Sequence, residues 1–347
     1  MHSGEIGYLC AQIKDIKDVI IGETITLDNK KAEYPLPGYK KMVPMVYCGV
    51  YPINSNNYND LKKSLDKLSL NDSSLTYEID NSQALGYGFQ CGFLGLLHMD
   101  IVKERLEREY NQKIILTVPN VMYHVFFKNN SSYININNPS KLNDLSLIKK
   151  IEEPYVNATI TSPKEYVGVI TELCQNRRGI YQNIEYCDDF RVVVKYLLPL
   201  NEIIFDFFDK LKSCTKGYAN LDYEIAKYQE SNLAKMDILV NGKIIDSFST
   251  IVHKDNAYNR GLNIIKKLEK IIPRHQFEIA LQVTLNNKII ARSNIKAVRK
   301  DVLSKCYGGD ITRKKKLLEK QKEGKKRMKK IGSIEIPQEA FIDVFSI

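Results

Sequence analysis

Leu85-Gly-Tyr-Gly-Phe-Gln-Cys-Gly-Phe-Leu-Gly95 runs straight into a helical pattern from Leu96, and the reading of this stretch decides the fold. A glycine-rich run entering a helix raises the question of a phosphate loop. The Gly-Lys-Ser/Thr ending of such a loop is missing, and Tyr87, Phe89 and Phe93 stand between the glycines. Glycines inside a strand instead mark close approach of a neighbouring backbone. Gly86–Phe93 is therefore read as a strand. Working outward, Val43–Ile53 is a strand, Tyr58–Leu68 a helix with Leu61, Leu65 and Leu68 on one face, and Leu75–Ile79 a strand. On the other side Leu96–Tyr110 is a helix and Lys113–Phe127 a long final strand. The order strand-helix-strand-strand-helix-strand is the ferredoxin-like split βαβ.

The same order recurs further on. Tyr155–Ser162, Glu165–Asn176, Ile180–Cys187, Phe190–Pro199, Ile203–Cys214 and Asn220–Tyr228 read as strand, helix, hairpin, helix and strand. From Ser231 the pattern changes to two hairpins, turning at Asn241-Gly242 and Asn286-Asn287, around a helix from Asn256 to Ile272. Ile334–Val344 reads as a last apolar strand. Before all this, Gly4–Ile13 and Ile20–Leu27 alternate as two short strands, marginal alone and so expected to be the tail of a larger β-domain. The fold class expected is α+β, with two ferredoxin-like βαββαβ domains in series. The expected divisions are a β-barrel end over 1–30, a Pro-rich linker over 31–44, the first domain over 45–128, a polar loop over 129–152, the second domain over 153–230, and a C-terminal α/β domain over 231–347.

The charge is concentrated in one segment. Between Arg292 and Lys330 there are sixteen Lys or Arg against four Asp or Glu, a net +12 in a chain whose total is +10, so the remainder carries −2. Leu317, Leu318 and Met328 are the only apolar side chains among the lysines that follow Arg313, too few to bury, and the like charges would repel one another on a helix. Such a segment gains most from a polyanion, whose counterions are released as phosphates are neutralised. A solvated tail and a nuclear-import signal are the bland alternatives; a membrane-surface helix would need a wide apolar face. The phosphate contacts expected are Arg299, Lys300, Lys305, Arg313, Lys314, Lys315, Lys316, Lys325, Lys326, Arg327, Lys329 and Lys330. Gly308 and Gly309 allow a sharp turn against RNA, and Tyr307 offers a ring for an unpaired base, or else simply packs on the sheet.

Enzyme chemistry has little to stand on. Seven cysteines without a Cys-x-x-Cys pair argue for a reducing compartment and against a zinc or disulfide framework. His98 and His124 lack partners at ligand or triad spacing. His253-Lys-Asp-Asn-Ala-Tyr-Asn-Arg260 is denser in polar groups than a solubilising loop requires, which makes His253, Asn256 and Arg260 candidate nucleic-acid contacts beside the reading as a plain loop. No run of eighteen apolar residues and no leader pattern is present.

The strings Gly86 to Met99, Lys103-Glu-Arg-Leu-Glu-Arg-Glu-Tyr110, Phe207-Phe-Asp-Lys-Leu-Lys-Ser213, Lys216-Gly-Tyr-Ala-Asn-Leu-Asp-Tyr223 and above all Lys305 to Ile331 resemble the elongation factor 4 (LepA) family of translational GTPases, from Gly4 to Phe345. The resemblance implies that 1–30 ends the β-barrel following a GTPase domain, that the two ferredoxin-like units correspond to those shared with elongation factor G, and that 231–347 is the family's own domain. It implies as partners both ribosomal subunits and tRNA, with peripheral membrane association and a monomeric state. Moving tRNAs back by a codon, or rescuing stalled ribosomes, would be driven by GTP and Mg in the full-length family. This sequence has no Gly-x-x-x-x-Gly-Lys-Ser/Thr and no Asn-Lys-x-Asp. The expectation for this chain is no cofactor and no GTPase activity alone, as for a piece of a longer protein or a late gene start, with a free-standing, non-enzymatic RNA-binding protein as the alternative. The Asn, Lys, Ile and Tyr usage leans to an organelle, mitochondrion or plastid, with the bacterial cytoplasm second.

Overall fold

Among the described residues, alternation of apolar and polar residues, set against helical stripes of leucine, builds three antiparallel sheets with helices packed on them. The computed structural model describes residues 2–8, 10, 22–36, 38, 42–128, 132–142, 145–204, 206–298, 311–331, 337 and 340, without the side chains of 145, 326 and 329–331. In the first unit β1 (Val46–Pro52), α1 (Tyr58–Asn71), β2 (Thr76–Ser82), β3 (Gly86–Phe93), α2 (Leu96–Arg108) and β4 (Ile114–Leu116) give the sheet order β2-β3-β1-β4. Val46, Cys48, Val50, Phe89, Cys91 and Phe93 point to one face, as the strand period of two requires, and meet Leu61, Leu65 and Leu68 of α1 and Val102 and Leu106 of α2.

The opposite face explains the glycines. The Tyr51 ring lies across Gly49 and Gly88: a Cβ on Gly49 would come within 2.6 Å of it, and one on Gly88 would run into it. Gly92 is covered in the same way, its Cβ position lying 2.5 Å from Thr76 Oγ1. These are packing glycines. The Tyr51 hydroxyl, freed to reach across, donates to Asp80 Oδ2 at 2.8 Å.

A single strand over 113–127 is not what forms. β4 stops at Leu116; Pro119 has no N–H for a ladder, and Asn120 instead exchanges two 2.7 Å backbone hydrogen bonds with Tyr47. The chain then crosses to a second sheet as β5 (Tyr123–Phe127) and turns back as β6 (Tyr133–Ile136). The expected loop over 129–152 thus contains β6 and the beginning of β7 (Ile148–Pro163), seven residues earlier than the strand expected from Tyr155. Asn and Ser mask the alternation there. α3 (Val167–Asn176), β8 (Ile180–Tyr186), β9 (Arg191–Pro199), α4 (Leu200–Ile204), α5 (Phe207–Cys214) and β10 (Asn220–Glu230) complete this unit, with two short helices where one was expected. The sheet order is β6-β5-β7-β9-β8, with β10 also on β7.

The third sheet, β12-β11-β13-β14, is made by the hairpins β11 (Leu233–Val240) with β12 (Lys243–His253) and β13 (Ile279–Leu285) with β14 (Lys288–Ile295), around α6 (Lys254–Ile271). Asn241, Gly242, Asn286 and Asn287 all have positive φ, at 50, 82, 47 and 69°, as tight hairpin turns of this kind demand. α6 lays Ala257, Gly261, Ile264, Ile265 and Leu268 on the sheet. A Cβ at Gly261 would be 2.9 Å from Val283 Cγ1, so the helix sits closer than alanine allows. Asp246 joins this unit to the first, accepting from Ser82 Oγ at 2.9 Å and the Gln83 N–H at 2.7 Å.

At the N-terminus, residues 4–8 and 22–26 form no strand and 27 makes only an isolated bridge to Lys30; the rest of the expected strand pair lies outside the described residues. Ile6 and Tyr8 are fully exposed, and among the described residues no strand pairs with this segment. The expected strand over 334–344 also lies largely outside the described residues, although Ala340 is buried in the third core and its N–H donates to Pro337 O in a turn. Among the described residues no helix is long and apolar enough to cross a membrane.

Candidate nucleic-acid interface

The basic segment is a helix where it is described. α7 (Ile311–Ile331) carries Arg313, Lys314, Lys315, Lys316, Lys325, Lys326, Arg327, Lys329 and Lys330. Four consecutive cations, 313–316, sweep a full turn at 3.6 residues per turn, so positive charge surrounds the axis. Repulsion was expected to oppose a helix. Glu319 and Glu323 stand three or four residues from Lys315, Lys316, Lys320 and Arg327, spacings at which helix side chains are neighbours and opposite charges attract. None of its described side chains is buried; Arg313, Lys315, Lys316 and Arg327 are exposed, and Lys314 and Lys325 half-buried. Arg299, Lys300, Lys305, Tyr307, Gly308 and Gly309 lie outside the described residues.

The second set of candidates does converge. His253, Asn256 and Arg260 line one cleft of about 760 Å³ between α6 and the α3–α5 side of the second unit. The α6 wall continues through Asn259, Asn263, Lys266, Lys267 and Lys270; the facing wall holds Arg177, Glu202, Asp206 and Lys210. These additional residues were not singled out in the sequence. Their signal was there, in polar side chains recurring at 256, 259, 263, 267 and 270 on the face opposite the buried stripe.

Buried ion pairs fix the facing wall. Arg178, held at φ 59° just beyond the end of α3, donates from Nη1 to Glu153 Oε1 at 2.6 Å and from Nη2 to Glu202 Oε1 at 3.1 Å. Burial alone would lower the Arg178 guanidinium, but the hydrogen bond and charge of Glu153, with Glu202, raise it above its ordinary value and keep it charged. Glu153 is fully buried, and this pairing is what permits it. Arg177 pairs with Glu202 at 3.3 Å and with Asp206, which Lys210 also reaches. The acidic floor of the cleft is therefore compensated, and the α6 cations give it a positive sign. Arg260 is drawn below its usual value by burial, with Glu202 opposing.

His98 and His124 have structural positions. The Leu94 N–H donates to His98 Nδ1 at 3.1 Å, so Nε2 carries the proton and donates to Asp72 Oδ2 at 2.8 Å. Burial pushes the Asp72 carboxyl up, but the Ser74 and His98 hydrogen bonds outweigh it and leave it below the ordinary range. His124 is stacked between Tyr133 and Tyr228, ring centroids 4.0 and 3.5 Å away; burial lowers its pKa and Glu152 opposes only in part. Among the described residues no group of His, Cys, Asp and Glu is arranged to hold a metal ion.

Two family models match the chain: "Elongation factor G C-terminus" over residues 150–239 and "GTP-binding protein LepA C-terminus" over 240–346. Proteins named Elongation factor 4 from Oceanobacillus iheyensis and Streptococcus suis are each 57% identical over 347 residues, covering 100% of this chain and 58% and 57% of those proteins. The Acetivibrio thermocellus protein of that name is likewise 57% identical over 347 residues. The chain thus spans a little over half the length of the curated relatives it matches. These relatives are bacterial, which is consistent with the bacterial alternative and lends no support to the organelle expectation, mitochondrial or plastid. With the elongation factor G module followed directly by the LepA module, and with whole-chain identity to these relatives, the chain belongs to the elongation factor 4 (LepA) family of translation factors.

Proposed function

We propose that this chain is a ribosome-docking portion of a LepA-type factor, in which the two βαββαβ units are ferredoxin-like platforms and α7, with the segment before it, grips RNA through phosphates. The observation that carries this is identity of 57% along all 347 residues to proteins named Elongation factor 4. It disfavours the free-standing RNA-binding alternative, because the resemblance is not confined to the basic helix. Electrostatics adds to it: the only strongly charged segment is one that a phosphate backbone would match. In the full-length factor, back-movement of tRNA or rescue of stalled ribosomes would draw on GTP and Mg bound by motifs that this sequence does not contain.

The direct test is sedimentation of the purified chain with bacterial ribosomes through a sucrose cushion at low and high salt. Co-sedimentation at low salt that is released at high salt supports docking by phosphate contacts, and a chain left in the supernatant at both refutes it. Calorimetric titration with GTP should show no stoichiometric site; heat from a micromolar site would overturn the reading of Gly86–Gly95 as a strand entering a helix.

A further inference from the structure

The α6 cleft differs in chemistry from α7. Asn256, Asn259 and Asn263 sit three and seven residues apart on one helix face, and Lys266 and Lys270 continue the row. The three amides are exposed on this face, and each, a double donor and an acceptor, is available to a partner from solution. His253 Nδ1, which lines the same cleft, is buried without a hydrogen bond, its nearest charged neighbour being Asp255 Oδ2 at 3.6 Å. At 1.5 Å per residue, the row from Asn256 to Lys270 makes a track of roughly 21 Å, long enough for a strand of several nucleotides. Lysines alone would suit any polyanion. Amides that both donate and accept suit a partner with hydroxyls and base edges between its charges, and a ribose 2′-hydroxyl is both donor and acceptor. An acidic protein segment would satisfy the lysines but leave the amide donor–acceptor pairs only half used.

We propose that the cleft between α6 and the second unit is a track for single-stranded RNA, separate from α7, which distinguishes RNA from DNA through its asparagine row. It rests on the reading that the protein works on RNA, and names a second site and what that site recognises. The seat of the track is rigid, because α6 is anchored by its buried face and the facing wall by the Arg177 and Arg178 ion pairs. The lysines neutralise phosphates while the amides pair with ribose and base edges.

The test uses the full chain and fluorescence anisotropy with labelled hexauridylate and hexadeoxythymidylate. The wild type should bind the RNA at least about threefold more tightly than the DNA, the scale of one net hydrogen bond. Asn256→Ala with Asn263→Ala should weaken RNA binding by about tenfold and remove the preference, while Lys266→Gln with Lys270→Gln should weaken both oligomers alike. All four residues are exposed polar positions, and thermal unfolding of the variants should match wild type. Equal affinity for the two oligomers, a preference untouched by the asparagine changes, or tighter binding of a polyglutamate peptide would each overturn the proposal. Ribosome co-sedimentation separates the two readings: a wild-type chain that sediments with ribosomes but shows no RNA preference refutes the track alone, whereas one that does not sediment refutes the docking reading.

Discussion

α6 and α7 are both lysine-rich helices, and they use their lysines under opposite constraints. α6 buries Ala257, Gly261, Ile264, Ile265 and Leu268 against a sheet, so each polar residue on its other face has a fixed address in a cleft. α7 buries none of its described side chains and shows positive charge all round. A helix anchored on one face can present a pattern, whereas a helix none of whose described side chains is buried presents chiefly charge. Phosphate binding tolerates the second arrangement, because it depends on the number of cations more than on their exact placement. Reading a sugar or a base requires the first.

The largest effect expected from this contrast is on stability. Leu268→Ala should destabilise the protein by ~2–5 kcal/mol through the cavity it leaves, whereas Leu318→Ala in α7, at a position 38% exposed, should stay within ~0.5 kcal/mol. Denaturant unfolding of the two variants checks this, and equal losses would mean that α7 has a seat. A glycine pair comes next. Gly261→Ala forces a Cβ to within 2.9 Å of Val283 and should cost ~1–3 kcal/mol by overpacking. Gly324→Ala meets nothing within 4 Å and should raise α7 helicity, worth ~0.8–1 kcal/mol. Circular dichroism and thermal unfolding read the two signs.

A smaller difference concerns pH. His124 has a folded pKa below the ordinary value of 6.5, so the folded state holds fewer protons than the unfolded state. Its contribution is fully present above that value and is lost as pH falls below it. Stability of the sheet body should therefore decline on acidification below pH 6.5, and His124→Gln should flatten that decline. α7 contains no histidine, so its RNA affinity should not share this dependence. A decline unchanged in the variant would assign the effect to another group.

The parts of this molecule that were legible in sequence are those governed by local rules. The leucine stripe of α1, the glycines under Tyr51 and the turns at Asn241-Gly242 and Asn286-Asn287 follow from spacing and from backbone sterics. The crossing from β4 to β5 was not legible, because Pro119 breaks the ladder at a point where the apolar alternation carries on. β6 was hidden by asparagines whose strand pairing comes from the partner β5 rather than from their own propensity. The cleft was half legible: His253, Asn256 and Arg260 stood out as a polar cluster, but Arg177 and Lys210 reach the same space only through packing of the second unit against α6.

The salt dependence of binding to bacterial ribosomal RNA tests the central claim most directly. For the full chain, about six phosphate contacts predict a fall in affinity of roughly 10³-fold between about 50 and 200 mM salt. Replacing Lys314, Lys315, Lys316 and Lys325 by Gln should flatten the slope of log affinity against log salt by about 3 to 4, with the folded body unchanged. A slope that stays the same in that variant would contradict the claim that α7 grips RNA through its phosphates.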